Sequence, residues 1–176
     1  MRVSVNLSSR NLQDPELVCV VLAALEPFPD LDRSRLEFEI TESQEIAHFE
    51  VARRTMPTLR KEGIQFYLDD FGTGYSSSDH LKRLPLEGIK IDQQFVMKML
   101  KNTTDLAIVE SMLGIVRAFD VGVLAEGVET ASVAKLLVDI GCIFAQGYLY
   151  SSALAPAEFE AYARAHQALA AISSST

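Results

Sequence analysis

The stretch "YLDDFGTGYSSSDHL", residues 67–81, ends an apolar run with two adjacent aspartates and follows them with Phe-Gly-Thr-Gly-Tyr. Adjacent carboxylates repel each other and resist burial, so Asp69 and Asp70 need a reason to stand at the end of a strand-like segment. A helix cap or a turn is the ordinary use of aspartate ahead of glycine. A metal site is the other. Gly72 and Gly74 form Gly-Thr-Gly, a weak phosphate-loop signal taken alone. Their first use is conformational, letting the chain turn sharply after the acids.

Outward from this stretch, strand-like and helix-like segments alternate. Residues 3–5 form a short strand running into Asn6-Leu7-Ser8. Asp14-Pro15-Glu16 predicts a helix start by cap, first-turn proline and early acid. Its apolar face is Leu17, Val18, Val21, Leu22 and Leu25, and Pro27 and Pro29 end it. Residues 36–40 read as a second strand, with Thr41 capping a helix over 42–62 that Gly63 stops. Residues 65–68 are a third strand, followed by the Asp-Asp turn and a short helix near 77–83. A fourth strand is expected over 88–91, a helix after Asp92, and a longer one over 104–119. Then come a strand over 122–124, a helix over 130–140, a sixth strand over 142–145 and a last helix over 156–171.

This makes six strand-then-helix units, the pattern of a parallel sheet. An open doubly wound sheet gathers its ligand residues at one switch point. Here polar residues follow nearly every strand: Asn6, Glu39 with Glu42, Asp69 with Asp70, Lys90 with Asp92, Glu126 with Glu129, and Gln146. A ring of that kind belongs to the mouth of a (β/α) barrel, which takes eight units and about 250 residues. The fold expected is therefore an α/β, TIM-like barrel, truncated by its first two βα units. Residues 1–171 would be the partial barrel domain and 172–176 a disordered, serine-rich tail.

Bulk properties narrow the function. The chain has 176 residues, 48% of them hydrophobic, and a net charge of −8. That charge argues against a grip on polymeric nucleic acid. No apolar run approaches the ~20 residues of a membrane span, and no signal peptide opens the chain, so a cytoplasmic protein is expected. Cys19 and Cys142 lie far apart in apolar sequence and read as buried thiols. His48 and His166 fall within predicted helices and His80 has no spaced partner, so no histidine is a candidate ligand.

Strand geometry points Glu39 opposite to Phe38, and in a barrel one of those two faces is the interior. Glu39, Asp69, Asp70, Glu126 and the amide oxygen of Asn6 would then converge at one mouth. All-oxygen ligands suit Mg²⁺, Mn²⁺ or Ca²⁺. Adjacent aspartates can hold two cations, the arrangement that clamps attacking and leaving oxygens in phosphodiester hydrolysis. Each residue also has an ordinary use: Lys90 could snorkel from an edge strand, and Glu129 could open a helix. Lys90 as a Schiff-base lysine is a rival, disfavoured because nearby acids raise its pKa.

The segments "VNLS" (5–8), "FEITES" (38–43), "LDDFGTGYSS" (68–77), "IKID" (89–92), "AEGVET" (125–130) and "QGYLYS" (146–151) resemble the EAL-domain family of cyclic-di-GMP phosphodiesterases in order and spacing. The resemblance implies a modified TIM-like barrel that linearises cyclic di-GMP to pGpG with Mg²⁺ or Mn²⁺, in bacterial signalling. It implies that Asn6, Glu39, Asp69 and Asp70 are metal ligands, with Asp69 bridging. Lys90 would hold the attacking water, Glu126 would be a ligand or general base, and Gln146 would line the substrate side. Glu42 would prop the loop carrying Phe71, Gly72, Thr73 and Gly74, which in this family couples the site to a dimer interface. A homo-oligomer is therefore expected, with regulatory domains upstream in a longer chain. The family's Glu-x-Leu-x-Arg motif does not occur in the 176 residues, and Ser78-Asp79-His80 and Ser152-Ala153-Leu154 depart from its usual pattern. Little turnover is expected of these residues alone. A module that binds cyclic di-GMP or a protein partner without hydrolysis is the alternative.

Overall fold

The computed structural model describes residues 2–41, 49–73 and 81–173. Five strands, β1 (Val3–Asn6), β2 (Leu36–Thr41), β3 (Gln65–Phe71), β4 (Gly88–Ile91) and β5 (Gly122–Ala125), form one sheet in chain order. Every neighbouring pair is parallel. Parallel neighbours cannot be joined by a hairpin, so a crossover separates each pair. The helices are α1 (Ser9–Leu12), α2 (Leu17–Leu25), α3 (Phe49–Lys61), α4 (Gln93–Val96), α5 (Thr103–Phe119), α6 (Ala131–Asp139) and α7 (Pro156–Ser173). Strands added one after another, with no reversal of order, build a barrel wall rather than a doubly wound sheet.

The two faces of this wall differ in chemistry because side chains alternate along a strand. Phe38, Ile40, Phe66, Leu68, Ile89 and Ile91 are buried against the helix layer, with Met56, Leu59, Val109 and Leu113. The opposite set is polar: Glu37 and Glu39 on β2, Tyr67 and Asp69 on β3, Lys90 on β4. Burial of the first set drives folding at about 25 cal/mol per Å² of apolar area. The second set forms the inner surface, and its strand-end members are the candidate site.

Local signals act largely where expected. Asp92, Asn102 and Thr130 cap α4, α5 and α6, accepting hydrogen bonds from the backbone N–H of Gln94, Thr104 and Val133. Gly63, at φ 95°, stops α3. Elsewhere the structure adds to or departs from expectation. Helix α2 starts at Leu17, because the Asp14 carboxylate accepts from the Glu16 N–H at 2.9 Å and makes a turn there instead of a cap. The short α1 was not foreseen; Ser8 Oγ accepts from the Asn11 N–H at 3.1 Å and Leu12 is buried. Thr41 is the last residue of β2, paired with Asp69, and the helix start it is expected to cap lies outside the described residues. Of the helix expected over 42–62, residues 42–48 lie outside the described residues, as do 77–80 of the helix expected near 77–83.

The expected sixth strand is reduced to one parallel bridge, Ala125 to Ala145. The Ala125 N–H donates to the Phe144 carbonyl at 3.0 Å and the Gln146 N–H to the Ala125 carbonyl at 2.9 Å. Pairing stops there because β5 itself ends at Ala125, and Gly141 and Gly147, both at positive φ, flank the segment. Helix α7 runs to Ser173, into the stretch expected to be a disordered tail. Cys142 is buried as expected, but Cys19 is exposed on α2, off its apolar face, and both thiols are free.

Candidate metal centre at the strand ends

The puzzle of the paired aspartates is resolved by a break in the ladder. Both residues lie inside β3, not in a turn after it. On a regular strand they would point to opposite faces. The register of β3 against β4 shifts between Leu68 and Phe71, and Asp70 takes φ 55°. An irregularity of this kind re-aims a side chain. Asp69 and Asp70 can then both approach Glu126, and one oxygen from each of the three carboxylates lies within 4.8 Å of the others. The turn after them is tied down by Thr73, whose N–H and hydroxyl both donate to the Asp70 carbonyl, at 3.2 and 2.9 Å. Gly72 follows at φ 100°, a region where other residues are strained.

Glu126 begins the loop after β5, and its N–H donates to the Ile91 carbonyl at the end of β4 at 3.1 Å. Between β3 and β5 stands Lys90, only 3% exposed, on an interior strand of the described sheet and not at an edge from which it could snorkel. Its Nζ forms ion pairs with Glu39 and, at 3.1 Å, with Glu126 Oε1. Gln146 Nε2 donates to the same Glu126 oxygen at 2.7 Å. Lys90, Glu126, Gln146, Asp69, Asp70 and Glu39 are thus brought together, Glu39 through Lys90. Asn6 stands at the exposed end of β1, in register with Glu39. Glu42 and Gly74 lie outside the described residues. Phe71 is buried in the core, and a Cβ at Gly72 would meet Met112 Cε and Phe95 Cε2, so this end of the loop is packed on α4 and α5.

The electrostatics follow from crowding acids in a half-buried place. Burial pushes the Asp69 carboxyl up from 3.8 to about 6, and the charges of Glu126 and Glu39 add to the rise against the opposing effect of Lys90. Burial also raises Glu126, although Lys90 works against it. For Lys90, burial pulls the pKa down, but the hydrogen bond to Glu39 and the charge of Glu126 outweigh it and hold the ammonium above its ordinary value. A Schiff-base lysine needs the reverse. Asp69 Oδ1 is buried and has no hydrogen-bond partner among the described residues. An orphaned carboxylate oxygen beside two further carboxylates fits a hard divalent cation. Beside Glu126 runs an open groove of about 440 Å³, lined by Gln93, Glu129, Gln146, Tyr148 and Ser151 among others.

One layer beneath the site was not singled out from the sequence. Arg2 Nη1 donates to Glu37 Oε1 at 3.0 Å and to the Tyr67 hydroxyl at 3.1 Å, and Ser4 Oγ to Glu37 Oε2 at 3.2 Å. The Tyr67 ring lies over Gly88, where a Cβ would sit 2.4 Å from Tyr67 Cε1. The signal was available: Glu37 and Tyr67 stand two residues before Glu39 and Asp69, hence on the same face.

The EAL domain family model matches residues 1–153. The chain is 36% identical to the cyclic di-GMP phosphodiesterase NbdA of Pseudomonas aeruginosa over 95% of its own length and 21% of that protein's. It spans about a fifth to a quarter of the curated relatives it matches. The EAL domain of Mycobacterium smegmatis DcpA superposes with a TM-score of 0.85 at 36% identity, covering 92% of this chain and 72% of that one. The calcium and cyclic-di-GMP complex of Klebsiella pneumoniae BlrP1 gives a TM-score of 0.76 at 31% identity, over 86% of this chain and 38% of that one. No helix among the described residues is long and apolar enough to cross a membrane. With the sequential parallel wall, the acids at its strand ends and the match over most of its length, the chain belongs to the EAL-domain family.

Proposed function

We propose that this chain carries the catalytic face of a metal-dependent phosphodiesterase that opens cyclic di-GMP to linear pGpG. The observation that carries the reading is the cluster of Asp69, Asp70 and Glu126, with its buried unpartnered Asp69 oxygen, and the Lys90 ammonium ion-paired to Glu126. The relatives support the substrate: NbdA is a cyclic di-GMP phosphodiesterase, and BlrP1 holds calcium and cyclic di-GMP together. Asp69, Asp70 and Glu126 would hold the divalent metal, with Glu39 and Asn6 completing the set. Bound Mg²⁺ or Mn²⁺ supplies Lewis acidity and a water that ionises near neutral pH. Lys90 positions the attacking water and offers its remaining N–H to developing negative charge. Gln146 fixes Glu126 on the substrate side, and the groove toward Tyr148 and Ser151 gives the ligand room to lie.

Residues 1–171 form one working part of the domain in this reading, in a cytoplasmic protein under regulatory domains. Exposed Val3, Val5, Ile143 and Phe144 support self-association. Incubating the complete domain with cyclic di-GMP and Mn²⁺ and resolving pGpG by chromatography tests the reading. Binding of cyclic di-GMP without pGpG would leave a binding module instead.

A further inference from the structure

We propose that Lys90 is the internal counter-ion of the site and competes with divalent cations for Glu39 and Glu126. Metal loading then requires these carboxylates to be released, in part, from the ammonium. The inference rests on the metal-dependent reading above and adds a role for Lys90 distinct from positioning water.

The competition follows from carboxylates shared between the ammonium and the acid cluster. Lys90 is 3% exposed, so its charge must be met inside the protein. Its Nζ is ion-paired with both Glu39 and Glu126 and donates a hydrogen bond to Glu126. The Oε1 that Lys90 holds on Glu126 also accepts from Gln146 Nε2. The same carboxylate lies within cluster distance of Asp69 and Asp70. Both donors fall on Oε1, so a cation taking this carboxylate through Oε1 must displace or share with them, and one taking Oε2 still meets a carboxylate whose charge is already partly neutralised by Lys90. An ammonium at ion-pair distance from two of the carboxylates also repels any incoming cation, most strongly on the side of the buried Glu39. Without metal, the same ammonium keeps the acids from driving the strand ends apart. Lys90 thereby stabilises the metal-free site and lowers its metal affinity.

The test is calorimetric titration with Mn²⁺, in buffer above neutral pH, of the wild type, Lys90→Met and Asp69→Asn, with unfolding temperatures in chelator and in Mn²⁺. Lys90→Met should bind Mn²⁺ more tightly, on the order of tenfold. It should melt lower than wild type in chelator and recover when Mn²⁺ is added. Folded Lys90→Met that binds Mn²⁺ equally or more weakly overturns the inference while leaving the metal site intact. No Mn²⁺ binding by wild type, or undiminished binding by Asp69→Asn, overturns the metal reading itself and the inference with it. If Lys90→Met does not fold, ¹⁵N NMR of the Lys90 ammonium in the wild type decides. Its signal should shift on Mg²⁺ addition along the binding curve, and a signal that stays in place while Mg²⁺ binds overturns the inference.

Discussion

Replacing Asp69 by asparagine should stabilise the metal-free protein and abolish its stabilisation by Mn²⁺. The native carboxyl is pushed from 3.8 to about 6 by burial and by the neighbouring Glu126 and Glu39. A carboxyl raised in this way binds its proton more tightly folded than unfolded. Its contribution to stability is therefore highest at acid pH, is lost as pH rises from about 4 through about 6, and is a constant penalty above that. At about 1.4 kcal/mol per tenfold change in proton affinity, the full penalty is about 3 kcal/mol. Asp69 is only partly buried, and solvent screening cuts this to roughly 1–2 kcal/mol. Asparagine keeps the shape, removes the charge, and can donate its amide N–H to a neighbouring acid. In chelator above neutral pH, Asp69→Asn should melt about 3–6 °C above wild type. At about pH 4 the difference should vanish. With Mn²⁺ at a hundred times its dissociation constant, wild type should gain about 2.7 kcal/mol by mass action, and Asp69→Asn almost nothing. Scanning calorimetry across pH, with and without metal, reads all three. A lower melting temperature for Asp69→Asn in chelator at neutral pH would refute the reasoning, since the carboxylate would then be better paired than the geometry indicates.

Three further outcomes are expected. Mn²⁺ affinity should fall as pH drops through about 6, because protons displace metal from Asp69; isothermal titration at a series of pH values checks this. In the complete domain, Lys90→Ala should slow cyclic-di-GMP turnover by on the order of 100-fold or more at saturating metal, while Mn²⁺ binding persists, as steady-state kinetics beside titration would report. Gly88→Ala should cost about 2 kcal/mol or more in denaturant unfolding. Its Cβ would sit 2.4 Å from Tyr67 Cε1 and 2.8 Å from the Gly122 carbonyl, and Tyr67→Ala in the same chain relieves only the first of these contacts.

Much of the fold was legible because it rests on local rules. Period-two alternation marks β2 as Phe38 and Ile40 against Glu37 and Glu39, and a cap residue announces α4, α5 and α6. The polar residues at successive strand ends were also legible, and Asp69, Asp70 and Glu126 among them come together. Where expectation and structure part, a neighbouring residue or a distant strand decides. Asp14 spends its carboxylate on the Glu16 N–H and delays α2. Residues 142–145 read as a strand but find only Ala125 to pair with.

The sequence by itself therefore determined the parallel α/β class and the order of the first five strand units, and it marked the polar residues at their ends. Local propensity and side-chain period carry that information within a few residues. Tertiary structure alone decided how Asp69 and Asp70 come to the same side, since that depends on a register shift against β4. It alone decided that Lys90 is an interior cation held by Glu39 and Glu126 instead of an edge residue reaching for water. The β3–β4 register joins Leu68 to Ile89 and Phe71 to Ile91, the Lys90–Glu126 pair joins residues 36 positions apart, and only packing of the whole wall fixes such contacts.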